Sequence, residues 1–392
     1  MKKTFTAMAA LSTLAGAAHA QSSVTLYGLI DEGPTYVSNA GGHSQVMLQS
    51  GLLNASRWGM TGAEDLGGGL KAIFTLENGF NVNTGALGNG GLEFGRKAIV
   101  GLSGNFGSVT VGRQFNFTPV SPLTANTDWA SGNFSRAGDV DNLNNNYGYS
   151  NSIKYDSRTY SGFKFGGIYS LGGVAGNFSR NQIWSINTGY TNGPIQAAAE
   201  FTHVNNPNTA LYANNGGNTT GTVNNISSNP IFGGYASAHS MNTFAAGAAY
   251  ALGAATVAAV YSHVDFKGVG DATSAPVTAS TTSTTSPKFD SAELSVKYMV
   301  TPALQLATAY DYTQGSSNVF SGVSRPAAKY NMFTIGADYY LSKRTDIYAT
   351  AVYEKASGVD STGKQAVAYL IGTTASSTDR QLALHIAIRH KF

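Results

Sequence analysis

The last eleven residues, Leu382-Ala383-Leu384-His385-Ile386-Ala387-Ile388-Arg389-His390-Lys391-Phe392, are apolar at 382, 384, 386, 388 and 392 and basic at 385, 389 and 391. Successive side chains of a strand point to opposite faces, so this segment carries one oily face and one that needs water. The oily face must meet lipid or a core. The stretch also closes on an aromatic residue with no polar tail. Together these features predict that it is built into the structure as the strand that closes a barrel in a membrane.

At the other end, Lys2 and Lys3 precede an apolar run from Phe5 to Ala18, too short to span a bilayer, and Ala18-His19-Ala20 follows as an A-x-A cleavage site. The pattern predicts a secretory leader over residues 1–20 and a mature chain over 21–392; an uncleaved anchor helix is the alternative. Cysteine is absent, which excludes a disulfide framework and thiolate metal sites, and neither a metal nor a cofactor is expected. The formal net charge of +3 falls to +1 without Lys2 and Lys3, so no global field favours nucleic acid as a partner. Charged residues make up only 11% of the chain, while Gly numbers 47 and Tyr 21. Few charges and many tyrosines suit a wall of strands with aromatic rings at the membrane interfaces.

A helical membrane protein has to be weighed against this, because Ser240 to Ser262 carries no formally charged residue. Its apolar members are mostly Ala, and Gly247 and Gly253 interrupt it. At period two, Phe244, Ala246, Ala248, Tyr250 and Leu252 share a face, a turn follows at 252–255, and Val257, Ala259 and Tyr261 resume. Two strands are predicted.

Alternating segments of about ten residues recur along the chain. Seven short turns fall at 64–69, 103–107, 157–162, 191–194, 252–255, 300–303 and 342–345. Eight long polar connections fall near 33–55, 78–94, 115–147, 172–181, 204–241, 267–288, 315–328 and 357–378. These separate sixteen strands with both ends on the periplasmic side. The predicted fold class is all-β, a transmembrane antiparallel 16-stranded β-barrel in one domain.

Several segments resemble general porins of the neisserial and betaproteobacterial type. They are Arg57 to Ala72, Arg96 to Leu102 with Gly104-Asn105-Phe106-Gly107 and Gly112-Arg113-Gln114, Val24 to Gly28, Asn151-Ser152-Ile153-Lys154-Tyr155, Leu341 to Thr345, and the ending Ile388 to Phe392. They span the mature chain in order. The resemblance implies a homotrimer of barrels in the outer membrane, each a water-filled pore passing ions and small hydrophilic solutes. It further implies a third loop, Phe115 to Tyr147, folded inside to narrow the channel. Its implied partners are outer-membrane lipid and lipopolysaccharide, and the outer-membrane assembly machinery through the strand ending in Phe392. One departure stands out: Gly148 occupies a position where the family often carries Arg.

Alternation assigns faces. Trp58 and Met60 share one face and Arg57 the other; a guanidinium in hydrocarbon costs roughly 2–4 kcal/mol, so Arg57 points into the lumen. The same parity turns Lys71, Thr75 and Glu77 inward, and Arg96 opposite Ile99. Arg113 shares parity with Val109 and Val111 and is placed at the strand end beside the loop. Arg57, Lys71, Arg96 and Arg113 are thus the predicted basic wall. Facing them on the loop stand Asp128, Asp139 and Asp141, with Arg136 as the loop's cation. A basic wall opposite an acidic loop sets a transverse field, here with modest anion preference; the alternative is that some of these groups pair and brace the loop.

Catalysis is the rival class. The mature chain keeps His43, His203, His239, His263, His385 and His390, but no Gly-x-Ser-x-Gly elbow or His-Glu-x-x-His helix. An adhesin or receptor displaying its loops is the third class, and conductance separates it from an open channel. Barrel closure predicts that the first strand pairs with the last and brings Gln21 near the carboxylate of Phe392.

Overall fold

A computed structural model describes residues 23–392 except 117–122, 124–131, 145, 147, 212–224, 273, 275–285 and 321–322. The expected leader over 1–20, Gln21 and Asp128 lie outside the described residues. The chain forms β1 (Ser23–Ala40), β2 in two segments (His43–Ser50 and Arg57–Gly67), β3 (Leu70–Gly79), β4 (Lys97–Gly104), β5 (Gly107–Phe115), β6 (Gly148–Asp156), β7 (Phe163–Ser170) and β8 (Ile183–Asn192). It continues with β9 (Ile195–Asn205), β10 (Ser240–Leu252), β11 (Ala255–Lys267), β12 (Lys288–Thr301), β13 (Leu304–Gly315), β14 (Lys329–Tyr340), β15 (Thr345–Ser357) and β16 (Arg380–Lys391). Each strand pairs antiparallel with its neighbours, and β1 pairs with β16. The result is the predicted closed barrel of sixteen strands, with a small outer hairpin, Asn318–Phe320 with Val323–Arg325, between β13 and β14.

Most of the predicted connections recur, with one correction. The first long loop, read at 33–55, is instead mostly strand: β1 runs on to Ala40 and turns back at Gly41-Gly42 into the first segment of β2. Those glycines adopt φ +64° and +107°, the left-handed backbone a two-residue hairpin needs, so the Gly and Asn signals there mark a tight turn. What breaks β2 is the bend at 51–56, where Asp31 Oδ2 accepts from the backbone N–H of Leu53 (3.2 Å) and Asn54 (2.9 Å).

Closure is staggered. Gly28 N donates to Phe392 O (3.0 Å) and Phe392 N to Gly28 O (3.1 Å), while Ser23 to Leu29 pair with the second segment of β2. The described chain begins at Ser23, five positions before Gly28, or roughly 16 Å of strand. The stagger between β1 and β16 is the shear that a tilted barrel requires. The Phe392 ring lies over Gly28, where a β-carbon would come within 2.2 Å of it.

Faces follow the alternation. On β16, Leu384, Ile386 and Ile388 are exposed on the outside, whereas His385 and Ala387 are buried inside. Exposed rings form two belts: Phe163, Tyr250, Tyr298 and Tyr339 toward the short turns, and Phe244, Tyr261, Phe333 and Tyr353 toward the long loops. Inside, β9 to β11 present the small residues Ala198, Ala245, Ala249, Ala258 and Val260, against which Leu123 and Leu143 of the third connection pack. The Ala-rich stretch weighed as a helix is thus two strands whose inner face packs with Leu123 and Leu143. Nearer the long-loop end, residues 226–238 and 366 pack with Ala137 and Val140 against Val204, Phe266, Phe289 and Tyr330.

Candidate functional site: a charged lumen

The inner face of β1 to β6 and β16 gathers cations. Tyr27, Gly59 and Glu77 stand in register on β1, β2 and β3, with Lys97 next on β4. Tyr27 donates to Glu77 Oε2 (2.8 Å), Arg96 Nε lies 2.7 Å from Oε1, and Arg57 Nε lies 3.9 Å from Oε2. Arg57 and Arg96 thus meet as the sequence suggested, yet Glu77 sits between them. Arg96 arrives there differently from its prediction. Ile99 and Lys97 are the inward members of β4, paired with Thr75 and Glu77, and Arg96 precedes the strand, where parity no longer binds it. Its guanidinium lies 5.1 Å from the centre of the Phe115 ring.

Two members of the predicted basic wall stand elsewhere. Lys71 has inward parity but lies at the short-turn end, exposed and paired with Asp65 and Ser103, six residues or about 20 Å from Glu77. Arg113 pairs with Ala98, itself opposite Leu76, and so falls in the outward row with Val109 and Val111. Its guanidinium bonds to Gly95 O (2.7 Å) and Ser150 Oγ (2.8 Å), polar groups at the strand ends. Gly148 leaves room for it: a β-carbon there would be 3.3 Å from Nη2.

Of the described loop acids, Asp141 pairs with Arg136 of the same connection and not with Arg57 or Arg96. Arg136 is buried, with Asp141 at 3.3 Å, Glu293 of β12 at 3.6 Å and Asp311 of β13 at 3.7 Å. Asp141 also accepts from Ser262 of β11. Polarity on this side is therefore the reverse of the expectation: a loop cation answers wall acids. The reason is spatial, since Glu293 and Asp311 are inward residues of directly paired positions.

Asp139 is buried beside them and accepts from Asn144 N (3.0 Å) and Asn146 Nδ2 (2.9 Å). Burial raises its carboxyl to about 8, and the Asp141 charge adds to the rise. In a released loop it would ionise near 4. The anchoring this neutral acid contributes is thus complete below about pH 4 and lost as pH rises through about 8. Channel noise is expected to grow between about pH 5 and 8 and to level off above that, and Asp139→Asn is expected to remove that dependence; recordings of both proteins over this range check it.

Sequence reasoning missed a third cluster. Arg389 lies 3.1 Å from both Asp338 and Asp346 and donates to Asn54 Oδ1 (2.7 Å). Beside it, Tyr348 donates to Asp31 (2.7 Å) and lies 3.0 Å from His385 Nε2, while Thr35 lies 2.7 Å from Nδ1. Lys154 lies 3.2 Å from Asp156. Parity in the terminal strand and in the Asn-Ser-Ile-Lys-Tyr motif carried the signal for Arg389 and Lys154. Among the described residues, no group of three His, Asp or Glu is arranged to hold a metal ion.

A profile of the Gram-negative porin family matches residues 6–359. The chain belongs to the Gram-negative porins. This porin is 31% identical over 399 residues to an outer membrane porin protein of Bordetella pertussis, covering 91% of this chain and 94% of that one. It is 36% identical over 217 residues to outer membrane porin protein 32 of Delftia acidovorans, covering 50% and 58% of the two chains. Its barrel is similar to the anion-selective porin from Comamonas acidovorans, with a TM-score of 0.70 at 24% identity over 95% of this chain and 100% of that one. The porin is an outer-membrane channel and not an enzyme. Its histidines fit that: His385 spends both ring nitrogens on neighbouring hydroxyls, and His263 faces Asp290 on the outer wall.

Proposed function

We propose that this porin passes ions and small hydrophilic solutes by passive diffusion, weakly prefers anions, and works as a trimer whose third connection narrows each lumen. The observation that carries this reading is the unequal shielding of its charges. Asp141, Glu293 and Asp311 are sealed around Arg136, with side chains no more than 4% exposed. Arg57 keeps 26% and Arg96 14% of their side-chain surface. Water in the passage therefore meets more cation than anion, and a wet, screened lumen turns that excess into a mild preference. The packing of Leu123 and Leu143 on inward alanines supports the narrowing role of residues 115–147. The anion selectivity named for the Comamonas acidovorans porin and the trimer form named for the similar OmpT of Vibrio cholerae agree with this reading. Export through the leader 1–20, contact with lipopolysaccharide and capture of the terminal strand by assembly machinery complete the proposal.

Reversal potentials in a planar bilayer under a salt gradient test it. Neutralising Arg57 and Arg96 together is expected to lower the anion-to-cation permeability ratio about twofold, the scale of one or two screened charges. Glu77→Gln is expected to raise the ratio by a similar factor, because it frees both arginines. Equal potentials in all three proteins would defeat the assignment, and a single conductance step per particle would defeat the trimer.

A further inference from the structure

Between the pairs Leu29 with Arg57 and Glu32 with Ser50, two residues of β1 face the six of the bend at 51–56. The excess cannot lie flat in the sheet, and its backbone N–H groups need acceptors outside the ladder. Asp31 supplies them. Its Oδ2 takes the N–H of both Leu53 and Asn54, its backbone O takes Gly51 N (2.8 Å) and Ser56 Oγ (3.1 Å), and its own N–H donates to Ser56 Oγ (3.1 Å). Asp31 is fully buried and shares inward parity with Leu29 and Thr35, so the bend is folded toward the lumen. The wall fixes this arrangement in turn: Tyr348 donates to Asp31 Oδ1, and Arg389 ties Asn54 to β16.

The bend carries two parts of the passage. Ala55 O accepts from Arg57 Nη1 (3.0 Å), which fixes where that guanidinium stands. Leu52 O accepts from Asn133 N (2.9 Å) and Gly51 O from Asn133 Nδ2 (3.3 Å), and Leu52 packs in one cluster with Phe134, Met332 of β14 and Val352 of β15. Gly132, with φ +53°, lies so close that a β-carbon there would be 2.3 Å from Leu52 O. Arg136 thus fastens the third connection to β12 and β13, and the bend fastens it on the side of β2. We infer that Asp31 is a positioning residue of the pore, whose carboxylate shapes the bend that aims Arg57 and holds the third connection. It touches no solute itself. The inference rests on the reading of Arg57 as part of an anion-preferring passage that this connection narrows.

The full-length porin in planar bilayers tests this with three variants. D31N keeps an oxygen for the two backbone N–H groups, and its amide donates to the Tyr348 hydroxyl, which has His385 Nε2 to take its own proton. D31A has the same net charge as D31N but lacks the acceptor, so the pair separates shape from charge. D31N is expected to match wild type in conductance and noise. D31A is expected to be noisier, to conduct at least about 1.3-fold more, and to have an anion-to-cation permeability ratio roughly 1.5-fold below that of D31N. That is less than the effect of removing Arg57 and Arg96, because the charges stay in the lumen. G132A leaves the wall untouched and sets one methyl group against Leu52 O; it is expected to raise conductance as D31A does, and it decides the matter if D31A does not fold. Equal conductance and ratio in D31A and D31N overturn the inference. So does a lower denaturation midpoint of D31A with an unchanged open channel, the mark of a merely structural residue, and so does wild-type conductance in G132A. If neutralising Arg57 and Arg96 leaves the ratio unchanged, the anion preference fails, and the conductances of D31A and G132A still judge Asp31.

Discussion

Replacing Arg136 with Gln is expected to unfasten the third connection from the wall and to widen the channel of an otherwise intact barrel. The guanidinium is buried against Asp141, Glu293 and Asp311. Removing one partner of a buried ion pair leaves uncompensated charge and costs about 3–5 kcal/mol, more than the pair itself contributes. Three carboxylates share this cation, so the loss falls on all of them at once. The backbone adds to the effect: Arg136 has φ 59° and Asn142 φ 57°, left-handed conformations that persist only where surrounding contacts hold them. Single-channel recording is expected to show larger and noisier conductance, with permeability shifted toward cations as Glu293 and Asp311 become wet. Adding E293Q and D311N to the variant is expected to restore quiet openings, because the pairwise terms are coupled. Unchanged conductance and selectivity in R136Q would show that other contacts hold the connection.

Gly33→Val is expected to prevent closure of the barrel, with a loss of more than about 3 kcal/mol, beyond the usual range for overpacking. A β-carbon at Gly33 would lie 2.0 Å from Ile386 O and 2.5 Å from Ala387 Cα. Both are backbone atoms of β16, held by the pairs Glu32 with Ile388 and Thr35 with His385, and neither can move without opening the seam. Gly28 offers the control. Its obstructing neighbour is the Phe392 ring, the far end of a side chain that can swing outward into lipid. Gly28→Ala is therefore expected to cost only about 1 kcal/mol. Heat-modifiable electrophoretic mobility and denaturant titration of the two variants compare them directly. Equal stability of both would mean the seam is looser than its backbone contacts require.

Both expectations depend on residues that the sequence treats very unequally. The terminal strand announces its faces, and the inward placing of His385 and Arg389 follows from alternation alone. Arg57 and Glu77 were legible for the same reason, since a charge on the wrong parity would sit in hydrocarbon. Arg96 and Arg113 were not. One precedes its strand, and the other lies in an outward row near a strand end where polar acceptors relieve it. The hairpin at Gly41-Gly42 was misread as part of a loop because tight turns and long loops share their residue types.

The sequence by itself determined the strand number, the oily outside, the wet inside and the family, because side-chain alternation and turn chemistry are local and repeat along the chain. Only the tertiary structure decided which charges remain to meet a passing ion. Glu77 between two arginines, Arg136 among three acids and Arg389 between Asp338 and Asp346 are pairings set by barrel shear and by the path of one connection. Coulomb attraction depends on distance in space, and closing the sheet brings together residues as far apart in the chain as Asn54 and Arg389.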